Sequence, residues 1–537
     1  MSSQPFGNSS GPNDQSGGNA TESTLLGQPV GLFLLFMVEM WERFSYYGMR
    51  AILGLYLKAP LESMIQGKPN TNPGRGWAEG EASNLSGWYT GLSYLLPILG
   101  GLIADKLIGT HRSMIVGGLL IALGHVVLAI TGFGDLGHSQ LGMSIFIGGL
   151  ALIIIGTGHF KPSVSVMVGQ LYKPGDPRRD VGFSIFYMGI NLGAFICPFI
   201  CGTLGEKVGW HWGFGSAAVG MLLGLSFYML LKERYLPGIG APPDGKGAKA
   251  PLFIVNGIVI STLVAAAFHM GVLGRVDEIF TNPYVLIPLA CISVLWMAFF
   301  TIKQAPNDRG PVASIFLFML LNVLFWAGFE QASTSINFFT DSFTDRNVGS
   351  FEVPTSWLQA VNPLGILLLA PVFGGLWVWL ARRNANPSQP AKIGLGLIGL
   401  GLGFSFMVLA GLQAKVDGAK ATVLLIAATY VIHTLGELCL SPTGLAYVTK
   451  AAPKHAVSLL MGVWFLSSFV GNFAAGKLAA IAPKFNDPAA ELGVLRMFKL
   501  GGQADFFVWF TIAPIVLGVV VLVLTPMLKK LLRNATD

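Results

Sequence analysis

Apolar residues in this chain neither alternate nor recur every third and fourth position. They come in unbroken runs separated by short polar stretches, and the runs are about 20 residues long, the length a helix needs to cross a bilayer. A window reading places fourteen of them near 30–57, 86–105, 113–132, 141–168, 181–204, 214–232, 252–272, 283–302, 312–340, 355–381, 392–412, 421–449, 457–482 and 504–528. A membrane barrel would instead show alternating segments of about ten residues. The pattern predicts an all-α polytopic membrane protein.

The polar stretches orient it. Lys106 and Arg112, Lys173 with Arg178 and Arg179, Lys232 and Arg234, Lys303 and Arg309, Arg382 and Arg383, Lys450 and Lys454, and Lys529 and Lys530 fall in one alternate set of loops. The other set is mixed or acidic, with Glu62, Glu79, Asp135, Asp277, Asp341, Glu352 and Asp487. Basic loops stay in the cytoplasm, so an even span count puts both termini there. Residues 236–251 are a Pro/Gly linker after six spans. The two spans after it carry almost no mid-membrane charge, and polar residues return with the ninth. The expected units are a disordered tail 1–26, a six-helix bundle 27–235, a linker and inserted helical hairpin 236–310, a second six-helix bundle 311–532, and a tail 533–537.

Composition narrows the function. The chain is 53% hydrophobic and 11% charged, with mean hydropathy +0.62, against about 25% charged for soluble domains. Its net charge of +7 is spread over short loops, so no nucleic-acid partner is expected. Cys197, Cys201, Cys291 and Cys439 all lie in apolar runs without metal-ligand or redox spacing. No cofactor is expected. No apolar span carries H-E-x-x-H or G-x-S-x-G, which argues against an intramembrane enzyme.

Charges inside the spans carry the chemistry, because each costs about 2.5–3.5 kcal/mol to insert at the bilayer centre. The first span holds Glu39, Glu42, Arg43 and Arg50. Glu39 and Arg43 are i,i+4, and Arg50 is seven residues past Arg43, so a polar stripe with Tyr46 and Tyr47 runs along one helix face. Lys161 lies mid-span before Pro162, and His159 nearby reads as a core histidine bonded to a neighbour. Asn191 is at depth on span five, Glu330 on span nine, and Asn362 before Pro363 on span ten. Glu437 falls one turn before a kink at Pro442 on span twelve. Trp464 on span thirteen suits a pocket wall or core packing equally. Lys161 and Glu437 each lack a partner on their own helix, so they are expected to pair across a cavity when its cytoplasmic side is closed.

Gly101, Asp105, Lys106, Gly109 and Arg112 resemble the loop motif of the major facilitator superfamily, whose two six-span halves bind at the midplane. The first span matches the ExxERFxYYG signature of the proton-coupled oligopeptide transporters at Glu39, Glu42, Arg43, Phe44, Tyr46, Tyr47 and Gly48. Lys161-Pro162, Phe186-Tyr187 with Ile190-Asn191 and Gly193, Phe325-Trp326 with Glu330-Gln331, and Glu437-Leu438 with Ser441-Pro442 and Gly444 match that family's other motifs, in order. Bacterial members also carry the inserted hairpin. Ala194-Phe195 stands where the family usually has Ser-Leu, and Ser163 where Asn is common; neither is a charged position.

The resemblance implies a proton-driven importer of di- and tripeptides in a bacterial inner membrane, working by alternating access, with peptide, protons and lipid as partners and the monomer as the working unit. Arg43 and Lys161, with Tyr47 and Tyr94 as donors, suit the peptide carboxylate. Glu437, Asn191 and Asn362 suit its ammonium. Glu39, Glu42 and Glu330 are candidates for the coupling proton, with Glu330 first and Arg50 as its implied gating partner. The alternative is a proton-coupled carrier of another small solute, such as nitrate or a drug-like compound. An anion carrier has little use for both glutamates on the first span, which favours peptide.

Overall fold

The computed structural model describes residues 24–532 apart from 63, 66–67, 243–248, 416–418 and 441–443. Six helices form the first bundle: α1 (Val30–Lys58), α2 (Glu79–Ile103), α3 (Thr110–Ile130), α4 (Gln140–Gln170), α5 (Arg178–Cys197) and α6 (Trp210–Tyr235). The inserted unit follows as α7 (Ala250–His269), α8 (Val272–Thr281) and α9 (Pro283–Lys303). The second bundle holds α10 (Pro306–Phe329), α11 (Ser335–Phe343), α12 (Val361–Arg382), α13 (Gln389–Gln413), α14 (Val423–Leu440), α15 (Gly444–Ala451), α16 (Val457–Ala479) and α17 (Ala504–Leu532). Among the described residues thirteen helices are long and apolar enough to cross a membrane. α1 joins them by length: its 29 residues reach about 43 Å at 1.5 Å each, and its charges within the span, Glu39, Glu42, Arg43 and Arg50, are what set it apart from the rest.

Several sequence expectations need refining. Span nine is not one helix: α10 ends at Phe329, a 3₁₀ turn covers Glu330–Ser333, and α11 follows. Span ten opens with a 3₁₀ turn, Thr355–Ala360, before α12. α5 continues beyond Cys197 as two π-helical turns, Pro198–Gly202 and Leu204–Val208. α2 starts seven residues before its apolar run, because Glu79 and Glu81 form a polar first turn. The inserted hairpin has a third, ten-residue helix, α8, between its spans. Of the expected N-terminal tail, residues 1–23 lie outside the described residues, while Thr24–Leu25 already pairs with Gln28–Pro29, and the Tyr172 hydroxyl donates to Gln28 Oε1 at 2.8 Å. The expected kink at Pro442, part of the Pro/Gly linker (243–248) and the tail 533–537 also lie outside them.

Helices in lipid gain little from hydrophobicity against one another and rely on close contact. Glycines supply it. A Cβ on Gly156 of α4 would sit 2.6 Å from the Gly117 carbonyl of α3, and one on Gly117 would sit 2.5 Å from the Gly156 carbonyl. Apolar cores fill the first bundle around Leu35, Phe160 and Tyr228 and around Tyr56, Phe146 and Phe214. One larger core, with Phe325, Phe404 and Phe507, fills the second. Cys197 and Cys201 are buried, but Cys291 is exposed on the outer face of α9, so it is not a core residue.

The bundles meet at the end that carries the acidic loops. There α2 and α16 touch backbone to backbone: a Cβ on Gly87 would lie 2.8 Å from Gly476 Cα. Nearby, a Cβ on Gly202 would lie 2.0 Å from Ser356 Oγ. Among the described residues every ion pair between the two bundles lies at this end. Asp105 of the loop motif, at the opposite end, makes no ion pair with a described residue.

Candidate functional site

Between the bundles is a cavity of about 300 Å³. α1 contributes Glu39, Arg43, Tyr47 and Arg50; α2 Tyr94; α4 Lys161; α5 Asn191; α10 and its 3₁₀ turn Glu330; α12 Asn362; α14 Glu437. Two residues expected at the site are elsewhere. Glu42 is fully buried behind Arg43. Trp464 does not line the cavity; it packs in the core of the second bundle, and the tryptophan on the wall is Trp326.

The α1 stripe folds onto itself. Arg43 Nε lies 3.0 Å from Glu39 Oε1 and also contacts Glu42 Oε2. Its guanidinium sits over the Tyr46 ring, 5.2 Å from the centroid. Arg43 Nε, Arg43 Nη2 and Glu39 Oε2 are all buried without a hydrogen-bond partner among the described residues; of the two arginine nitrogens only Nε is ion-paired. The ion pairs thus hold Nε and leave Nη2 open. Buried polar atoms are normally satisfied, so open ones on a cavity wall mark a place for a ligand.

Lys161 and Glu437 do not pair in this structure. The Lys161 ammonium lies 3.9 Å from the Tyr94 ring centroid, a cation–π contact. The Glu437 carboxylate accepts from Asn362 Nδ2 at 2.9 Å, and the same amide donates to Thr434 Oγ1 at 2.9 Å. Asn191 Nδ2 donates to the Tyr187 carbonyl of its own helix at 3.0 Å, which leaves its side-chain oxygen as the group on offer. The cavity therefore has a cationic wall from the first bundle and an anionic one from the second.

Its acidic-end floor is a double closure. In the inner tier, Arg50 of α1 is ion-paired with Glu330 and donates to Ser333 Oγ at 3.2 Å. Glu330 is presented by the 3₁₀ turn that ends α10. In the outer tier, Lys58 of α1 reaches Asp341 of α11 at 3.3 Å, and Lys207 reaches Glu352 at 2.9 Å. The Glu206 carboxylate accepts from the Thr355 and Ser356 amides at 2.7 and 2.9 Å, capping a short helix of the other bundle. The Lys207 ammonium, with Arg346 beside it, holds the Glu352 carboxyl below its ordinary value. A lowered value means that this contact is intact above the ordinary carboxyl range and lost only as pH falls through the lowered one. Mild acid leaves it closed. At the basic end Ser165 and Tyr187 line the cavity and are exposed; the cavity opens that way.

Sequence reasoning missed Trp326, Tyr187, Gln359, Tyr430 and His433 as wall residues. Spacing offered a signal for three of them. Gln359 is three before Asn362, and His433 and Tyr430 are four and seven before Glu437, all helical neighbours of residues already singled out. Trp326 is held by its Nε1–H donating to Asn322 Oδ1 at 3.0 Å. His159 is bonded to Ser113 Oγ at 3.0 Å.

The sequence pattern of the POT family matches residues 111–495. The chain belongs to the POT family. It is 35% identical to a peptide transporter of Yersinia enterocolitica, over 95% of this chain and 96% of that one. It is 35% identical to a di-/tripeptide transporter of Lactococcus lactis, over 96% and 99%. A solved POT family transporter in complex with a thioalcohol-conjugated peptide superposes with a TM-score of 0.76 at 30% identity, covering 94% of this chain and 98% of the other. This POT family protein accordingly has the major facilitator fold, two six-helix bundles about a central cavity, with the hairpin inserted between them.

Proposed function

We propose that this protein imports di- and tripeptides across the bacterial inner membrane, coupled to protons, by alternating access. The observation that carries this reading is the division of charge in one cavity: Arg43 and Lys161 on the first bundle, Glu437 with Asn362 on the second, and no ion pair joining them. A zwitterionic peptide of two or three residues has the complementary ends. The apolar wall, with Trp326, Phe329 and Ile366, suits side chains of varied size. The basic end faces the cytoplasm, so the structure is open inward, and the chain acts as a monomer. The named activities of the relatives support the same substrate class.

The test is uptake of labelled dialanine into proteoliposomes under an inward proton gradient, with competition by dialanine amide and by N-acetyl-dialanine. Both blocked forms are expected to compete at least about tenfold more weakly, the loss of one charged hydrogen bond of about 1.5–3 kcal/mol. Uptake that ignores either blocked end rejects the two-wall site.

In the outward-open state, the reading has Lys161 and Glu437 closing the cytoplasmic side as a pair. An arriving peptide competes for both charges and so favours the inward-open state by differential contact. The charge-swapped protein, Lys161→Glu with Glu437→Lys, is expected to recover thermal stability relative to either single change while dialanine uptake stays low. Full uptake by the swapped protein contradicts the binding role of the two charges.

A further inference from the structure

The inserted unit is not only an adduct on the lipid-facing side. α7 grips the first bundle along its length. Leu120 of α3 lies against Gly257, with a Cβ there 2.9 Å from its Cδ1; Ala265 packs on Gly148; and Ser144 Oγ is 3.1 Å from His269 Nδ1. α9 touches the second bundle near its other end, where Trp296 and Phe300 meet Phe316 of α10 at 5.9 and 6.0 Å. Between them α8 lies at the acidic end, over the line where α2 and α16 touch.

At that line sits Asp277 of α8. Its Oδ1 accepts from Trp88 Nε1 of α2 at 2.7 Å and is ion-paired with Lys477 of α16. The partners belong to different bundles. Phe280 of α8 adds an edge-on contact to Trp88 at 5.5 Å, and Trp88 packs on Phe473 of α16 at 4.7 Å. Lys477 is adjacent to Gly476, the residue at which α16 touches α2.

We propose that the inserted hairpin is a strap whose Asp277 latches the acidic end shut. This rests on the alternating-access reading above. For the cavity to open at the acidic end, α2 and α16 must part, and Asp277 cannot then keep both partners. α7 and Phe280 hold the hairpin to the first bundle, so the bond that breaks is the one to Lys477. The hairpin is then an arm of the first bundle that reaches across to the second, and it favours the inward-open state because only that state makes the contact. The ion pair is partly exposed, with side-chain exposures of 18% for Lys477 and 29% for Asp277, so its effect on the balance of states is modest.

The experiment measures that balance in the full chain in nanodiscs, by pulsed electron resonance between spin labels on Asp135→Cys and Val494→Cys. Both positions are exposed, in acidic-end loops of opposite bundles; Cys291 and Cys439 are replaced by serine. Asp277→Asn and Lys477→Gln are each expected to raise the long-distance population about two- to fivefold, the range for a partly exposed pair. The double variant is expected to go no further than either single one, because both remove the same contact. The swap Asp277→Lys with Lys477→Asp is expected to bring the population back toward wild type. Two single variants with the wild-type distribution, an additive double variant, or a swap as wide as the singles each overturn the latch. Glu330→Gln in the same labelled background separates the two readings. A protein that widens with Glu330→Gln but not with Asp277→Asn loses the strap and keeps alternating access; one that responds to neither loses both.

Discussion

Proteoliposomes carrying Glu330→Gln are expected to exchange labelled for unlabelled dialanine at a near-normal rate and to accumulate none against a gradient. Glu330 is buried and paired with Arg50 across the inner tier of the acidic-end closure. Protonation of that carboxyl would cancel the charge that holds Arg50, and release of the proton would restore it, so one group links the proton to the gate. Glutamine is neutral at every pH and cannot be discharged. Exchange of peptide for peptide needs no net proton movement and survives. Net accumulation does need it: one proton crossing 100 mV supplies about 2.3 kcal/mol, or roughly a 50-fold gradient. Loss of that whole factor is the expected effect. A variant that still concentrates dialanine moves the proton role to Glu39 or Glu42, and the same assay on Glu39→Gln and Glu42→Gln then locates it.

Arg43→Lys is expected to lower dialanine uptake at limiting concentration about 10- to 100-fold, while the protein folds with its thermal midpoint little changed. Lysine keeps the positive charge beside Glu39 and Glu42, so the buried carboxylates are not left uncompensated. What it loses is the planar fork. Arg43 Nε is ion-paired with the two glutamates, whereas Nη2 is buried with neither an ion pair nor a hydrogen bond among the described residues, and this nitrogen is the one left to take a carboxylate. A charged hydrogen bond of about 1.5–3 kcal/mol corresponds to that range of rates. The loss is expected in kcat/KM and mainly through KM, since the peptide carboxylate is held in binding. Uptake near the wild-type rate at low dialanine removes Arg43 from the carboxylate site.

Much of the fold was legible because a bilayer enforces a simple rule: runs of about 20 apolar residues become helices. The linker and the return of polar residues at span nine marked the inserted hairpin for the same reason. α8 was not legible. Its ten residues mix apolar positions with Arg275, Asp277 and Glu278, too short and too polar to register as a span. The break at Glu330–Ser333 was hidden too, since no proline or glycine falls within it; it is set by partners far away in sequence, Arg50 on Glu330 and Ser333 and the Ala475 carbonyl on Gln331 Nε2. Charged site residues could be read directly because a charge within a span needs a reason. Trp464 could not be placed, because an aromatic residue on a membrane helix reads alike whether it faces a cavity, a core or lipid. Glu206 was invisible for a further reason: the donors to its carboxylate are backbone amides of Thr355 and Ser356, and amides leave no trace in a sequence.

The two tiers of the acidic-end closure respond differently to the ionic strength of the surroundings. The inner pair, Arg50 with Glu330, has side-chain exposures of only 11% and 5%, and dissolved ions barely reach it. In the outer tier Lys207 and Glu352 are 36% and 48% exposed. Fields between such groups fade over about 8 Å in physiological salt and about 3 Å at 1 M. High salt at that end therefore loosens the outer lock while the inner one holds, and low salt tightens the outer one alone. Salt thus separates the two tiers, acting on one and sparing the other.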